Sequence, residues 1–356
     1  MKILTFSPTL TKIEYTLQDT ESEKPLLEGM VKDWRGSRHI QKILREVKEK
    51  IILSGYTDEA ITTIDFAISI RVPFGGSIFT RTKIADDDMM AELEKYIPYS
   101  PLHLPPVITL LAAVSKIFPE TVAVVAFETS FFTELPDREK YYAVSPDMSN
   151  IGLRRFGYHG IFHKYAYLEG KKTLNARKIL SICLENRPEI AAVADGRPLM
   201  VTSGATPLEG LPGLTTCGEI DPYLITAISK KMDIGPEEIN NILTTKSGFT
   251  AICGKNVSFD HIFSKSAPEY KLAKDIMQYG ILKNCGSGIA AMGGLDLIVF
   301  TGSYSYLGRF IGPWLQNKLS LHVSGKIKHP AWLCLDHDIH RLLANEAMET
   351  LNPMDS

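Results

Sequence analysis

No apolar run in the 356-residue sequence approaches the roughly 18–20 residues that span a bilayer. The opening, Met1-Lys2-Ile3-Leu4-Thr5-Phe6, is too short and too quickly polar for a secretory leader, so a cytoplasmic location is expected, with no membrane partner. Charge of one sign is missing as well. With 39 Lys and Arg against 41 Asp and Glu, the net charge of -2 gives no broad field for nucleic acid, and any phosphate-binding groove has to be local. The five cysteines (Cys183, Cys217, Cys253, Cys285, Cys334) are odd in number and form no Cys-x-x-Cys pair, which argues against a disulfide framework or structural zinc. Low-complexity tracts are absent. What remains is 44% hydrophobic and 22% charged residues, ordinary for a soluble globular chain long enough for two domains of roughly 100–200 residues.

Lys2 to Phe6 and Ile13 to Leu17 read as two strands of a hairpin around a loop from Ser7 to Lys12. Ile40, Ile43, Leu44, Val47 and Ile51 recur at helical spacing between His39 and Leu53, and the alternating Lys and Glu beside them make a solvated face. Ile64 to Ile70 reads as a buried strand ending at Arg71, before the Gly75-Gly76 turn. Pro101 to Pro106 marks a loop, Val107 to Ile117 an apolar helix, and Thr121 to Phe127 a strand covered on both faces. Turn formers between Asp137 and Asn150 suggest a crossing segment.

The opening pattern then restarts. Lys178 to Cys183, Glu189 to Ala194 and Leu199 to Thr202 read as strands, with Asp195-Gly196 as the second turn. Cys285 to Ala291 reads as a small-residue helix, Leu297 to Thr301 as a strand, and Ile339 to Leu351 as an amphipathic helix stopped by Pro353. A pattern repeated from the midpoint predicts two similar α/β halves facing a cleft.

Arg154-Arg155-Phe156-Gly157-Tyr158-His159-Gly160, Thr206-Pro207-Leu208-Glu209-Gly210-Leu211 and Gly218-Glu219-Ile220-Asp221-Pro222, in this order, resemble the acetokinase family of acetate, propionate and butyrate kinases. Arg71 to Gly76, Ser100-Pro101-Leu102-His103 and Ala291 to Asp296 extend the resemblance along almost the whole chain. It implies two actin-like ATPase (ribonuclease H-like) domains around an interdomain cleft, usually in a homodimer. The expected division is 1–145, completed by the C-terminal helix 339–356, and 146–338. ATP, Mg2+ and a short-chain carboxylate are the implied ligands.

Phosphoryl transfer to a carboxylate brings two anions together and needs cationic donors, a metal and backbone amides around the phosphates. By resemblance, Arg71 clamps the carboxylate, Leu102, Tyr158 and Pro207 wall the acyl pocket, and His159 stabilises charge on the transferring group. His103 matches a family histidine, and Pro73 stands where the family usually has Val. Glu128 falls where the family uses an Asp for the metal, and Asp336-His337-Asp338 where it has a second acidic element. Ser7, Asn186, Ser258 and Phe259 are what the nucleotide-binding positions retain.

Around these the sequence departs from the family. The first phosphate loop, Asn-Ala-Gly-Ser-Ser-Ser, becomes Ser7-Pro8-Thr9-Leu10-Thr11-Lys12, and the second, His-Leu-Gly-Asn-Gly, becomes Cys183-Leu184-Glu185-Asn186-Arg187. Thr216 replaces the arginine that steadies the transition state, a change that by analogy with arginine fingers costs on the order of 10³–10⁵ in rate. Ser303-Tyr304-Ser305-Tyr306-Leu307 replaces a glycine loop on the adenosine side.

Three readings follow. The first is a family member with degenerate phosphate motifs, catalytically impaired or serving as a non-catalytic carboxylate-binding partner protein. The alternative is an active carboxylate kinase in which Arg187 or Lys12 supplies the lost charge. A third gives Cys217 or His159 a different chemistry.

Overall fold

The computed structural model describes residues 1–352 except 23, 35, 64, 146, 148–151, 153, 324–325 and 337. Pro353 and His337 lie outside the described residues, as do Ile64 and part of the crossing segment 137–150. Contacts divide the chain into two compact units, Met1–Thr133 with His337–Ser356, and Glu134–Asp336.

The sheet of the first unit contains β1 (Lys2–Pro8), β2 (Lys12–Asp19), β3 (Leu27–Lys32), β4 (Phe66–Val72), β5 (Lys83–Ile84) and β6 (Val122–Phe127), in the order β3-β2-β1-β4-β6-β5. β1 pairs antiparallel with β2, placing Phe6 opposite Tyr15, and parallel with β4, which is itself parallel to β6. Strands buried this thoroughly read as continuous apolar runs, as Val124 to Phe127 does. The helix Ile339–Leu351 packs on β1, β4 and β6, with Ala344 and Ala347 against Ile3 and Val124. Ser69 Oγ donates to Leu343 O at 2.8 Å.

Expectations shift here, beginning with the strand read from Ile64 to Ile70, which is observed as Phe66–Val72. β1 runs on to Pro8 and β2 begins at Lys12, so the loop is shorter; Thr9 N donates to Lys12 O at 2.8 Å beyond the proline. The helix expected from Val107 starts at Leu104, because prolines in a first turn lack only amides that have no helical partner there. Asp137–Lys140, assigned to a crossing segment, is a helical turn.

In the second unit, β7 (Lys178–Cys183), β8 (Glu189–Ala194), β9 (Arg197–Val201), β10 (Leu297–Thr301) and β13 (Ala331–Cys334) form a sheet of order β13-β10-β7-β8-β9, beside a small pair of β11 (Leu321–Val323) and β12 (Lys326–Lys328). β7, β8 and β9 are antiparallel neighbours, and β7, β10 and β13 run parallel. The plan is that of β1, β2 and β3 followed by β1, β4 and β6, so the restart read in the sequence is a repeat of topology. Asp195 and Gly196, at φ 51° and 86°, make the two-residue turn between β8 and β9.

Helices cover both faces of this second sheet. A Cβ at Gly170, in the helix Gly160–Leu174, would lie 2.6 Å from Ile179 Cδ1, and one at Gly288, in the helix Pro268–Met292, 2.7 Å from Leu180 Cδ2. Ile179 and Leu180 are consecutive in β7 and face opposite ways, so glycines let a helix close onto each side. The small-residue helix expected at Cys285 to Ala291 is the last part of that 25-residue helix.

Candidate active site

β1, β4 and β6 run in one direction, and their carboxyl ends bring together residues far apart in sequence. Arg71, near the end of β4, donates from Nε to Glu128 Oε1 in a short ion pair and from Nη1 to Ser7 Oγ at 3.5 Å. Glu128 follows β6, is 2% exposed, and is held by its amide on Val72 O at 3.0 Å. A carboxylate this buried is tolerable because a guanidinium meets it. Lys12, at the start of β2, places Nζ 2.6 Å from Glu14 Oε1.

Asp338 caps the last helix, its Oδ1 accepting from His340 N at 3.2 Å. His340 Nδ1 lies 2.7 Å from Thr5 Oγ1, whose own hydroxyl donates to Thr16 O at 3.0 Å. Since that hydroxyl proton is committed, Nδ1 is the donor and carries a hydrogen. Burial lowers the His340 pKa against the opposing pull of Asp338 and Glu14, with Arg71 and Lys12 adding to the depression. Leu102 is half-buried in the turn Ser100–His103, where His103 N and Leu104 N both donate to Ser100 O. Pro73, half-buried, follows directly on β4.

In the second unit the centre is Glu189, the first residue of β8 and fully buried. Its oxygens accept the Tyr158 amide at 3.2 and 3.0 Å, and Oε1 lies 3.1 Å from His163 Nε2. His163 Nδ1 is 2.7 Å from Ser181 Oγ. Burial pushes the Glu189 pKa up, yet the hydrogen bond and charge of His163, with the charge of His159, outweigh it and leave the carboxyl below its usual range. His159 Nε2 donates to Arg187 O at 3.1 Å, Tyr158 Oη donates to Ala205 O at 2.9 Å, and the Arg187 guanidinium lies 5.2 Å from the Tyr158 ring centre. Burial drives the Tyr158 phenol well above its usual range. Pro207 is half-buried in a segment anchored by Glu209, which takes Tyr142 Oη and Arg155 Nη1, the latter at 2.7 Å.

The positions read as nucleotide-facing are occupied by the chain's own contacts. Glu185 Oε1 accepts Ser303 N at 2.7 Å and Ser303 Oγ at 2.8 Å, while Tyr304 Oη donates to Asn186 Oδ1 at 3.3 Å. Ser258 forms a reciprocal cap with His261, and Phe259 is fully buried, edge-on to Tyr304. Tyr306 Oη donates to Asp260 at 2.6 Å. Thr216 is buried, and its Oγ1 accepts Gly213 N at 3.1 Å. Cys217 is half-buried, its thiol pKa raised by burial, which makes it a poor nucleophile. Among the described residues no group of three or more His, Cys, Asp or Glu is placed to hold a metal ion.

Ser7, Arg71 and Glu128 thus form one cluster, and Tyr158, His159 and the Asn186-Arg187 turn another. Sequence reasoning missed Glu189, His163 and His340 as polar centres. A carboxylate heading the otherwise apolar strand Glu189–Ala194 was the available signal for the first.

Two sheets of one strand plan make this the duplicated α/β architecture of the actin-like ATPases. The sequence profile of the Acetokinase family matches residues 16–306. The chain belongs to the acetokinase family. It is 33% identical over 331 residues to an acetate kinase of Thermoanaerobacter pseudethanolicus, covering 85% of this chain and 82% of that one. An acetate kinase of Thermoanaerobacterium thermosaccharolyticum is 31% identical over 348 residues, covering 90% and 87%. Among solved structures, a propionate kinase from Francisella tularensis subsp. tularensis SCHU S4 superposes with a TM-score of 0.86 at 24% identity, covering 97% of this chain and 98% of that one. Acetate kinase from Entamoeba histolytica gives 0.82 at 20%, covering 98% and 99%. At these identities the structural matches establish the fold alone. Among the described residues no helix is long and apolar enough to cross a membrane.

Proposed function

We propose that this protein transfers the terminal phosphoryl group of MgATP to a short-chain carboxylate, yielding an acyl phosphate and ADP. Its relatives are named acetate kinases along four fifths or more of their length. The observation that carries the reading is Arg71 at a strand end, its guanidinium oriented by Glu128 and Ser7. Such a fixed fork suits a carboxylate. A metal arriving with the triphosphate suits the residues present, since Mg2+ is commonly bound through one or two carboxylates plus phosphates and needs no protein cage. Glu128 and Asp338 are the proposed carboxylates. Leu102, Tyr158 and Pro207 wall the acyl group, and His159 is the proposed donor to the transferring phosphoryl group once its Nε2 hydrogen leaves the Arg187 carbonyl.

A second reading, a carboxylate-binding relative of impaired turnover, draws on Thr216 and Glu185. A hydroxyl bound to Gly213 carries no charge to the transition state, and the Ser303 donors already serve Glu185. The proposed assembly is a cytoplasmic homodimer, supported by exposed Tyr223, Leu224, Met232, Leu272 and Tyr279 on the helices Pro222–Met232 and Pro268–Met292.

Trapping acyl phosphate as hydroxamate from MgATP with acetate, propionate or butyrate decides between the readings. Product with any of the three supports transfer. No product, together with a melting temperature that MgATP leaves unchanged, rules transfer out. In the Arg71→Ala variant the stabilisation by acetate disappears on either reading.

A further inference from the structure

Phosphoryl transfer between two anions requires positive charge where the phosphoryl group passes. In this reaction a carboxylate oxygen bonds to the γ-phosphorus, the bond from phosphorus to the bridging oxygen breaks, and its electron pair leaves on ADP without any proton moving. Thr216 cannot supply the charge, and its hydroxyl is already turned to Gly213 N at 3.1 Å. Lys12 Nζ already meets Glu14 Oε1 at 2.6 Å in the other unit.

We propose that Arg187 is the cation that meets the transferred phosphoryl group in this chain, an inference that rests on the transferase reading above. Gly213 reports the geometry. A Cβ built there would lie 2.5 Å from Thr216 Oγ1, 2.7 Å from Asn186 O and 3.1 Å from Arg187 Cα, so the turn carrying Arg187 and the loop carrying Thr216 touch at one point. Leu214 N donates to Asn186 O at 2.7 Å and ties the two together. The backbone at 187 and the side chain at 216 are therefore neighbours across Gly213.

Its direction is also fixed. The guanidinium stacks 5.2 Å from the centre of the Tyr158 ring, and the Arg187 carbonyl accepts His159 Nε2 at 3.1 Å. Arg187 is therefore joined through side chain and backbone to the Tyr158-His159 pair that the transferase reading uses. A planar fork held against an aromatic face loses less freedom on meeting an anion than a free side chain does. The positive charge has moved from one loop to its neighbour.

The test compares wild type with Arg187→Gln, Arg187→Lys, Thr216→Arg and the Arg187→Gln/Thr216→Arg double variant, each checked for an unchanged circular dichroism spectrum. Expected is a loss of kcat on the order of 10³ in Arg187→Gln, with KM for acetate little altered, and recovery of tenfold or more in the double variant. Arg187→Lys, which keeps stem and charge, recovers only a small part because it lacks the fork. A kcat near wild type in Arg187→Gln overturns the proposal, as does a loss that Thr216→Arg fails to recover at all. A wild-type chain making no acyl phosphate defeats the transferase reading instead. Calorimetric titration with inorganic pyrophosphate then judges Arg187: affinity weakened about tenfold in Arg187→Gln retains it as the phosphate-meeting cation, and unchanged affinity removes it.

Discussion

His340 donates to a threonine hydroxyl in a buried setting that favours its neutral form. As pH falls through its ordinary value of 6.5, the unfolded chain takes up a proton there and the folded chain resists until lower pH. The stability that His340 contributes is thus whole above that value and is lost as pH falls. Asp338 and Glu14 lessen the effect, while Arg71 and Lys12 enlarge it. Urea midpoints measured between pH 7.5 and 5.5 should fall in wild type, and the slope should flatten in His340→Gln. Glu189 makes a larger demand. Glu189→Ala leaves the buried Tyr158 amide and His163 Nε2 without their shared acceptor, at about 1–3 kcal/mol for each group, and should lose roughly that sum in urea unfolding, with Glu189→Gln losing less. Arg71, Glu128 and Ser7 could be grouped as candidate residues only through family resemblance, since nothing local in a sequence says that positions so far apart share one sheet edge. Glu189 resembled an ordinary strand start, and only its partners Tyr158 and His163 reveal what it holds.

Strands were the most readable elements. β7, β8 and β10 are short apolar runs with clear turn punctuation, and β10 and the final helix have the bounds read from the sequence. The helix Gly160–Leu174 escaped because it is buried on more than one side, with Ile161, Phe162, His163, Ala166, Tyr167 and Gly170 all inside. Its first turn, Gly160 to His163, is buried all round and shows no solvent-facing side to betray the period. Pro268–Met292 was visible only at its small-residue end for a related reason: glycine and alanine mark where it touches the sheet, and its earlier turns expose Leu272, Ile276 and Tyr279. Gly288→Val should therefore force the helix off β7 and lower stability by about 1–3 kcal/mol, read from the denaturant midpoint. Ser258→Ala, which breaks the reciprocal cap with His261, should cost about 1 kcal/mol by the same measurement.

At the scale of the molecule, the first unit is made of two stretches of chain with the second unit inserted between them. The sequence showed the repeated strand plan, because turn residues and apolar runs recur in the same succession. The return of the last helix to the first sheet is a tertiary event with no local signal, written only in small residues, Ala344 and Ala347, that face Ile3 and Val124. A chain ending at Asp336 should lose the cooperative unfolding of residues 1–133, and a peptide of residues 338–352 added in trans should restore it, as followed by near-ultraviolet circular dichroism. The same arrangement dictates how the protein resists tension. Handles attached at Lys2 and Asn352 would grip β1 and the helix laid across it, so a pulling force acts first on that single seam. The inserted residues 134–336 would feel no load until the seam tears, and an optical trap should record the rupture of the outer unit before any lengthening of the inner one.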